Sequence, residues 1–168
     1  MAYCIASVAL LGLAVPSAAQ ASASSAAKGP TWITGNAKTK TATLTIIAAY
    51  KGGFDFDGYS KGQLVISVPV GYKVNVIFSN HAQLAHSVVF TSYAARTSAS
   101  GFAVAFKGAS SPAPTSGVTG SATQKFSFTA SKVGTYAIVC AVPGHALAGM
   151  WDVLKVVKSG APAVTIGM

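Results

Sequence analysis

Apolar and polar positions alternate with a period of two through most of the chain after residue 40. In QLVISV (63–68), Leu64, Ile66 and Val68 fall on one face; in YKVNVIF (72–78), Val74, Val76 and Phe78 oppose Lys73 and Asn75. TATLTIIAA (41–49), HSVVFTSY (86–93), QKFSFTA (124–130, with Phe126 and Phe128 on one side), GTYAIVC (134–140) and MWDVLKVV (150–157) complete the set. Side chains of a strand point alternately to opposite faces, so this spacing predicts half-buried strands. Turn formers separate the runs: KGG, DGYSKG, PVG, SKVG and PGH. No segment after the N-terminal leader carries a helical stripe. Short strands divided by turns predict an all-β sandwich or barrel. Residues 94–123 break the rhythm. Within them GFAVAF (101–106) predicts a short edge strand, and KGASSPAPTSGVTGSAT (107–123) a long surface loop.

The first residues differ in texture. MAYCIASVALLGLAV (1–15) is apolar, and PSAAQASASSAAKGP (16–30) is rich in Ala and Ser. An apolar run followed by small residues predicts a signal peptide, with cleavage after Ala21 or Ala23. No Lys or Arg precedes the run, so retention as a short membrane anchor is the alternative. It is short for a spanning helix, which needs about 20 apolar residues. The organisation expected is a signal peptide or anchor over 1–23, an Ala/Ser-rich linker and extension over 24–39, one β domain over 40–158 and a tail over 159–168. Export to the periplasm or another extracytoplasmic space follows from the leader. Cys4 lies inside that leader, so a processed chain keeps Cys140 alone. A lone thiol in an oxidising compartment is buried, paired between chains or held by a metal.

Charge adds a second constraint. Twelve Lys and Arg stand against three acids, Asp55, Asp57 and Asp152, for a net charge of +9. The lysines are scattered from Lys28 to Lys158 without the concentrated patch that nucleic-acid binding requires, so nucleic acid is not an expected partner. A chain with so few carboxylates has little to lose when they protonate, which suits an acidic medium. A basic exported protein with a Ser/Thr surface is the plainer reading.

CAVPGHALAGM (140–150) sets a cysteine, a histidine and a methionine in one loop, with four residues between Cys140 and His145 and four between His145 and Met150. Cys140 ends one strand, Pro143-Gly144 turns the chain, and Met150 begins the next strand, so the three side chains can converge. Singly, each has an ordinary reading as a buried thiol, a loop imidazole and a core methionine. Together they offer thiolate, imidazole and thioether, a donor set that suits copper, which cycles between soft and harder oxidation states. A structural zinc site wants four Cys or His ligands and rarely takes Met. A blue-copper site needs two His, one Cys and a weak axial Met. The second histidine must come from SNHAQLAHSVVF (79–90). His86 opens a predicted strand and is held rigidly; His81 sits in a polar turn and is the solvated one. The metal ligands expected are therefore His86, Cys140, His145 and Met150.

GTYAIVCAVPGHALAGMW (134–151) resembles the C-terminal copper loop of the cupredoxins, the small blue copper proteins, and LAHSVVF (84–90) resembles their first-histidine strand. The four-and-four spacing is most like the sulfocyanin and rusticyanin group from acidophiles, and FDFDGYSKGQLVISVPVGYKVNVIFSN (54–80) is similar to the sulfocyanin region upstream of that histidine. The resemblance covers roughly residues 40–158. It implies a Greek-key β-sandwich of about seven or eight strands. It also implies one copper ion held by His86, Cys140 and His145 with Met150 axial, and single-electron transfer in a respiratory chain that ends in a terminal oxidase. Partners implied are redox proteins, a cytochrome or a terminal oxidase complex, met by a monomer. Ser87 departs from the family pattern, standing where many cupredoxins have Asn. The binuclear copper loop needs a second Cys, and Ala141 to Gly144 supply none.

An uncharged patch of Pro143, Gly144, Ala146, Leu147 and Ala148 is expected around His145, the electron port, with an apolar shell that favours a high potential. The competing expectation is a periplasmic copper storage or delivery protein, which favours exposed Met and His clusters; the chain has only Met1, Met150 and Met168. An enzyme is not expected. Three histidines leave none spare for a second copper, and neither a nucleophile elbow nor paired carboxylates appear.

Overall fold

The computed structural model describes Met1 and residues 32–167. The leader or anchor expected over 1–23 lies outside the described residues apart from Met1, as does most of the Ala/Ser-rich stretch after it. Among the described residues, no helix is long and apolar enough to cross a membrane. Nine strands appear in order: β1 (Ile33–Asn36), β2 (Thr41–Ala48), β3 (Leu64–Pro69), β4 (Lys73–Asn80), β5 (Val89–Ser92), β6 (Thr123–Thr129), β7 (Gly134–Val139), β8 (Trp151–Val157) and β9 (Ala163–Ile166). A single 3₁₀ turn, Tyr93–Ala95, is the only helical element among these residues.

The strands form two sheets, ordered β1-β2-β4-β6 and β5-β7-β8-β3-β9. Each alternating run buries the face its sequence predicts. Leu44 and Ile46 of β2 and Val74, Val76 and Phe78 of β4 meet Leu64, Ile66 and Val68 of β3 and Leu154 and Val156 of β8 in one apolar cluster. Each large aliphatic or aromatic side chain so buried stabilises the sandwich by roughly 1.5–3 kcal/mol. The chain changes sheet between β2 and β3, between β3 and β4, and at each step on to β7. Strands close in sequence therefore come to lie in opposite layers, and β2 pairs with β4, and β3 with β8, in parallel.

Two strands lie outside the 40–158 span. β1 falls in the stretch read as extension and pairs antiparallel with β2; β9 falls in the stretch read as tail and pairs with β3. Both are short and half-exposed, so neither carries enough apolar periodicity to be legible beforehand. Conversely, 101–106 forms no strand. Gly101 and Gly108 turn the chain at positive φ, and the segment meets β5 through only two separate bonds, Ala105 N–H to the Phe90 carbonyl at 2.8 Å and the Thr91 hydroxyl to the Ala103 carbonyl at 2.7 Å. Its role is packing: Phe106 stacks on Phe128 with centroids 5.4 Å apart. The stretch expected as a loop over 107–123 is one up to 122, Thr123 being the first residue of β6, and it is held by two isolated bridges, His86 with Val118 and Val89 with Ser110.

Candidate metal centre

At one end of the core, the β7–β8 loop brings its polar atoms together with the segment before β5. Cys140 follows β7 and is fully buried; its N–H donates to the Met150 carbonyl at 3.1 Å, closing the base of the loop. Inside, the His145 N–H donates to Val142, Ala148 to Gly144, and Met150 to His145. Pro143-Gly144 makes the turn, with Gly144 at φ 84°, a conformation that favours glycine. This compact set of bonds points the His145 ring inward, with its Nδ1 3.3 Å from the Cys140 Sγ.

His86 comes from the other direction. It is not in a strand: β5 begins three residues later, at Val89. The reason lies in the backbone bonds. His86 exchanges two bonds with Val118 of the long loop, Ser87 N–H points to the Cys140 Sγ at 3.4 Å, and Val88 N–H donates to the Ser111 hydroxyl at 3.2 Å. Loop and thiol use the donors that a sheet neighbour would otherwise take. Gly117 is required for this approach. A Cβ there would lie 2.7 Å from the His86 carbonyl oxygen, and its φ is +67°. Asn80, fully buried at the end of β4, sets the turn ahead of His86: its amide donates to the Leu84 and Val118 carbonyls and its Oδ1 accepts from Ala82.

The result is a cluster of three donors. His86, Cys140 and His145 place their ligand atoms within 4.8 Å of one another, and all three residues are buried. Both imidazoles present Nδ1 to the thiol, at 3.8 Å for His86. Burial, with His145 close by, holds the His86 imidazolium down to about 4, and burial likewise lowers His145. Both rings are thus neutral, ready-made ligands. Burial pushes the Cys140 thiol up, partly offset by its bonds from Ser87, so the thiol must give up its proton to a metal. The donor set and spacing fit a copper ion. Met150 is fully buried at the far end of the same loop. His81 is exposed, outside the cluster, and tilts against Tyr50 at 6.5 Å.

Ser87 bridges the two segments. Its hydroxyl accepts from the Ala141 N–H at 3.0 Å and lies 3.8 Å from the Cys140 Sγ. With its lone pair engaged by Ala141, the hydroxyl proton is free to point at sulfur. Ser87→Ala should therefore shift the visible absorption of the copper-loaded protein and lower stability by about 1–2 kcal/mol, read from denaturant midpoints.

Phe54 is the residue the sequence did not single out. Its ring lies 4.6 Å from that of His145 and meets His86 edge-on at 6.2 Å, while the residue stays 42% exposed. The loop that carries it is folded around one carboxylate. Asp55 accepts from the backbone N–H groups of Tyr50, Gly53 and Gly58, at 3.0, 3.2 and 2.7 Å. KGGFDFDG reads as a plain turn, and its only advance signal is that it holds two of the chain's three acids, Asp55 and Asp57. The expected patch needs one correction. Leu147, Pro143 and Ala148 are exposed, but Ala146 is fully buried beneath the loop, among Val89, Ala137 and Val139.

Residues 28–166 match the sulfocyanin (SoxE) domain. The chain is 33% identical over 129 residues to sulfocyanin of Sulfolobus acidocaldarius; the match covers 71% of this chain and 65% of that relative, just under two thirds of its length. Among solved structures, dithionite-reduced auracyanin from the photosynthetic bacterium Roseiflexus castenholzii is similar over 68% of this chain and 96% of its own, at 24% identity and a TM-score of 0.53. Rusticyanin from Thiobacillus ferrooxidans aligns over 75% of this chain and 88% of its own, at 23% identity and a TM-score of 0.45. At such identity the auracyanin likeness speaks to the fold alone.

Proposed function

This chain belongs to the sulfocyanin family of blue copper proteins, and from that premise we propose that it carries single electrons between redox partners of a respiratory chain, toward a terminal oxidase, outside the cytoplasm. The observation that carries the reading is the buried His86–Cys140–His145 cluster with one ring directly beneath an uncharged, accessible face. Bound there, copper would supply one-electron chemistry, accepting and releasing an electron with little change of geometry. His86, Cys140 and His145 would hold the ion, with the Met150 thioether as the fourth donor. Cys140 would ligate as thiolate, kept in place by Ser87. His86 is held in place by its two bonds to Val118 of the long loop. His145 lies nearest the surface and is the port. Phe54, Leu147 and Pro143 around it keep water away, which favours the less charged, reduced state and a high potential. Such a face suits brief docking, and the cationic surface steers an anionic partner toward it. The protein acts as a carrier and not as an enzyme. Storage or delivery of copper is the weaker alternative, because a fully buried Cys140 is poorly placed for handing a metal over.

Electron self-exchange tests the port. It is read from NMR line broadening in mixtures of oxidised and reduced protein at high salt. Leu147→Asp should slow it about tenfold, the size of effect expected from a residue central to docking, with spectrum and potential retained. An unchanged rate would remove the His145 face as the port.

A further inference from the structure

Beside the His145 face a cavity of about 160 Å³ opens between the Phe54 loop and the turn that precedes His86. Phe54 and Gly53 wall one side, Ala82 and Leu84 the other, and the His86 ring lies at its end. The walls offer almost no hydrogen-bonding groups, so water gains little there; a dry apolar cavity of about 150 Å³ is known to accept a benzene ring. Leu84 and Phe54 are both well exposed at the mouth, 52% and 42%. Large apolar side chains left open beside a half-open cavity are what a partner's anchor residue fills.

The surroundings are of one sign. Lys51 is exposed on the same loop, three residues before Phe54, with its ammonium 5.4 Å over the Tyr59 ring, and the stem of Lys61 runs along Gly149 of the β7–β8 loop. His81 is exposed nearby and lies against Tyr50. Asp55, Asp57 and Asp152, the only acidic side chains of the chain, are all buried. With every acidic side chain buried and a net charge of +9, the surface around the cavity carries no carboxylate side chain to offset the lysines.

We propose that this cavity is the socket for one apolar side chain, phenyl or isobutyl in size, presented by a redox partner that rings it with carboxylates. This rests on the electron-carrier reading and extends the docking face from His145 to His86. The inserted side chain touches the second imidazole, and the carboxylates meet the cationic surface around the cavity. Shape then sets the register of docking, and charge sets the rate of encounter.

The reduced, copper-loaded protein is titrated by NMR with a short peptide bearing one Phe between runs of Glu, and with the same peptide carrying Ala in place of Phe. Shifts should concentrate at Phe54, Ala82 and Leu84, and the Ala peptide should bind roughly tenfold more weakly. Ala82→Leu, which fills the socket, should weaken the Phe peptide by a similar factor while the visible spectrum is kept. Equal binding of the two peptides, or no binding of either, overturns the socket. Both results leave the electron-carrier reading to be judged by the protein's own spectrum and potential.

Discussion

Replacing Cys140 by serine should leave the copper-loaded protein without its intense visible absorption. The colour of such a site comes from charge transfer between a thiolate and copper, and Cys140 is the only thiol among the described residues. A hydroxyl in its place is a harder donor, mismatched to the reduced ion. Copper affinity should fall by more than roughly a hundredfold, beyond what loss of a supporting residue around a metal typically costs. The fold should survive, since Cys140 contributes one small side chain to a core that runs the length of the sandwich. His81→Ala is the control. His81 lies outside the cluster and is exposed, so colour and affinity should both be unchanged. Absorption spectra and copper titrations of the two variants decide the matter. Colour that survives the first change and is lost in the second contradicts the ligand set.

The second large effect concerns pH. Asp57 is buried and accepts the Ile47 N–H at 3.0 Å, and its other oxygen has no partner among the described residues. Burial, with Asp55 adding to it, pushes its carboxyl from the usual 3.8 up to about 7. Asp152 is similar: one oxygen takes the Leu64 N–H, the other has no partner among the described residues, and burial lifts it to about 8. A carboxyl raised by folding favours the folded state in its protonated form. Its contribution is full below the unfolded value near 3.8 and is lost as pH rises toward and through 7 to 8. His86 works in the opposite sense, because the unfolded chain takes up its proton near 6.5 and the folded one only near 4. Asp57→Asn separates these contributions. Relative to the unmodified chain, the variant should gain about 4 kcal/mol more at about pH 8 than at about pH 4. Denaturant midpoints at the two pH values measure the difference. A gain independent of pH would mean that Asp57 is ionised at ordinary cost.

The buried acids also show how far the chain could be read in advance. Alternation located seven of the strands because β2, β3 and β4 each bury one face, and period two is the direct record of that burial. β1 and β9 escaped because short, half-exposed edge strands leave no such record. The copper loop was legible because its ligands are local: Cys140, His145 and Met150 share eleven residues. His86 was identified by elimination between two histidines, although the strand predicted around it starts only at Val89. Phe54, Asn80 and Gly117 were not legible at all. Each acts on the site from a different loop, and sequence carries no sign of such approaches until the chain is folded. Scarcity of acids alone suits either an acidic medium or a plain basic surface; the structure adds that all three are internal, Asp55 as the organiser of the Phe54 loop and the others as buried carboxyls.

The central claim is that one copper held by His86, Cys140, His145 and Met150 exchanges a single electron. A spectroelectrochemical titration of the copper-loaded chain tests it most directly, with the metal content of the same sample determined alongside. The account predicts one copper per chain, an intense visible thiolate band, and its full, reversible bleaching along a one-electron curve at high potential. A colourless protein, or a band whose loss does not follow reversible one-electron reduction, would contradict it.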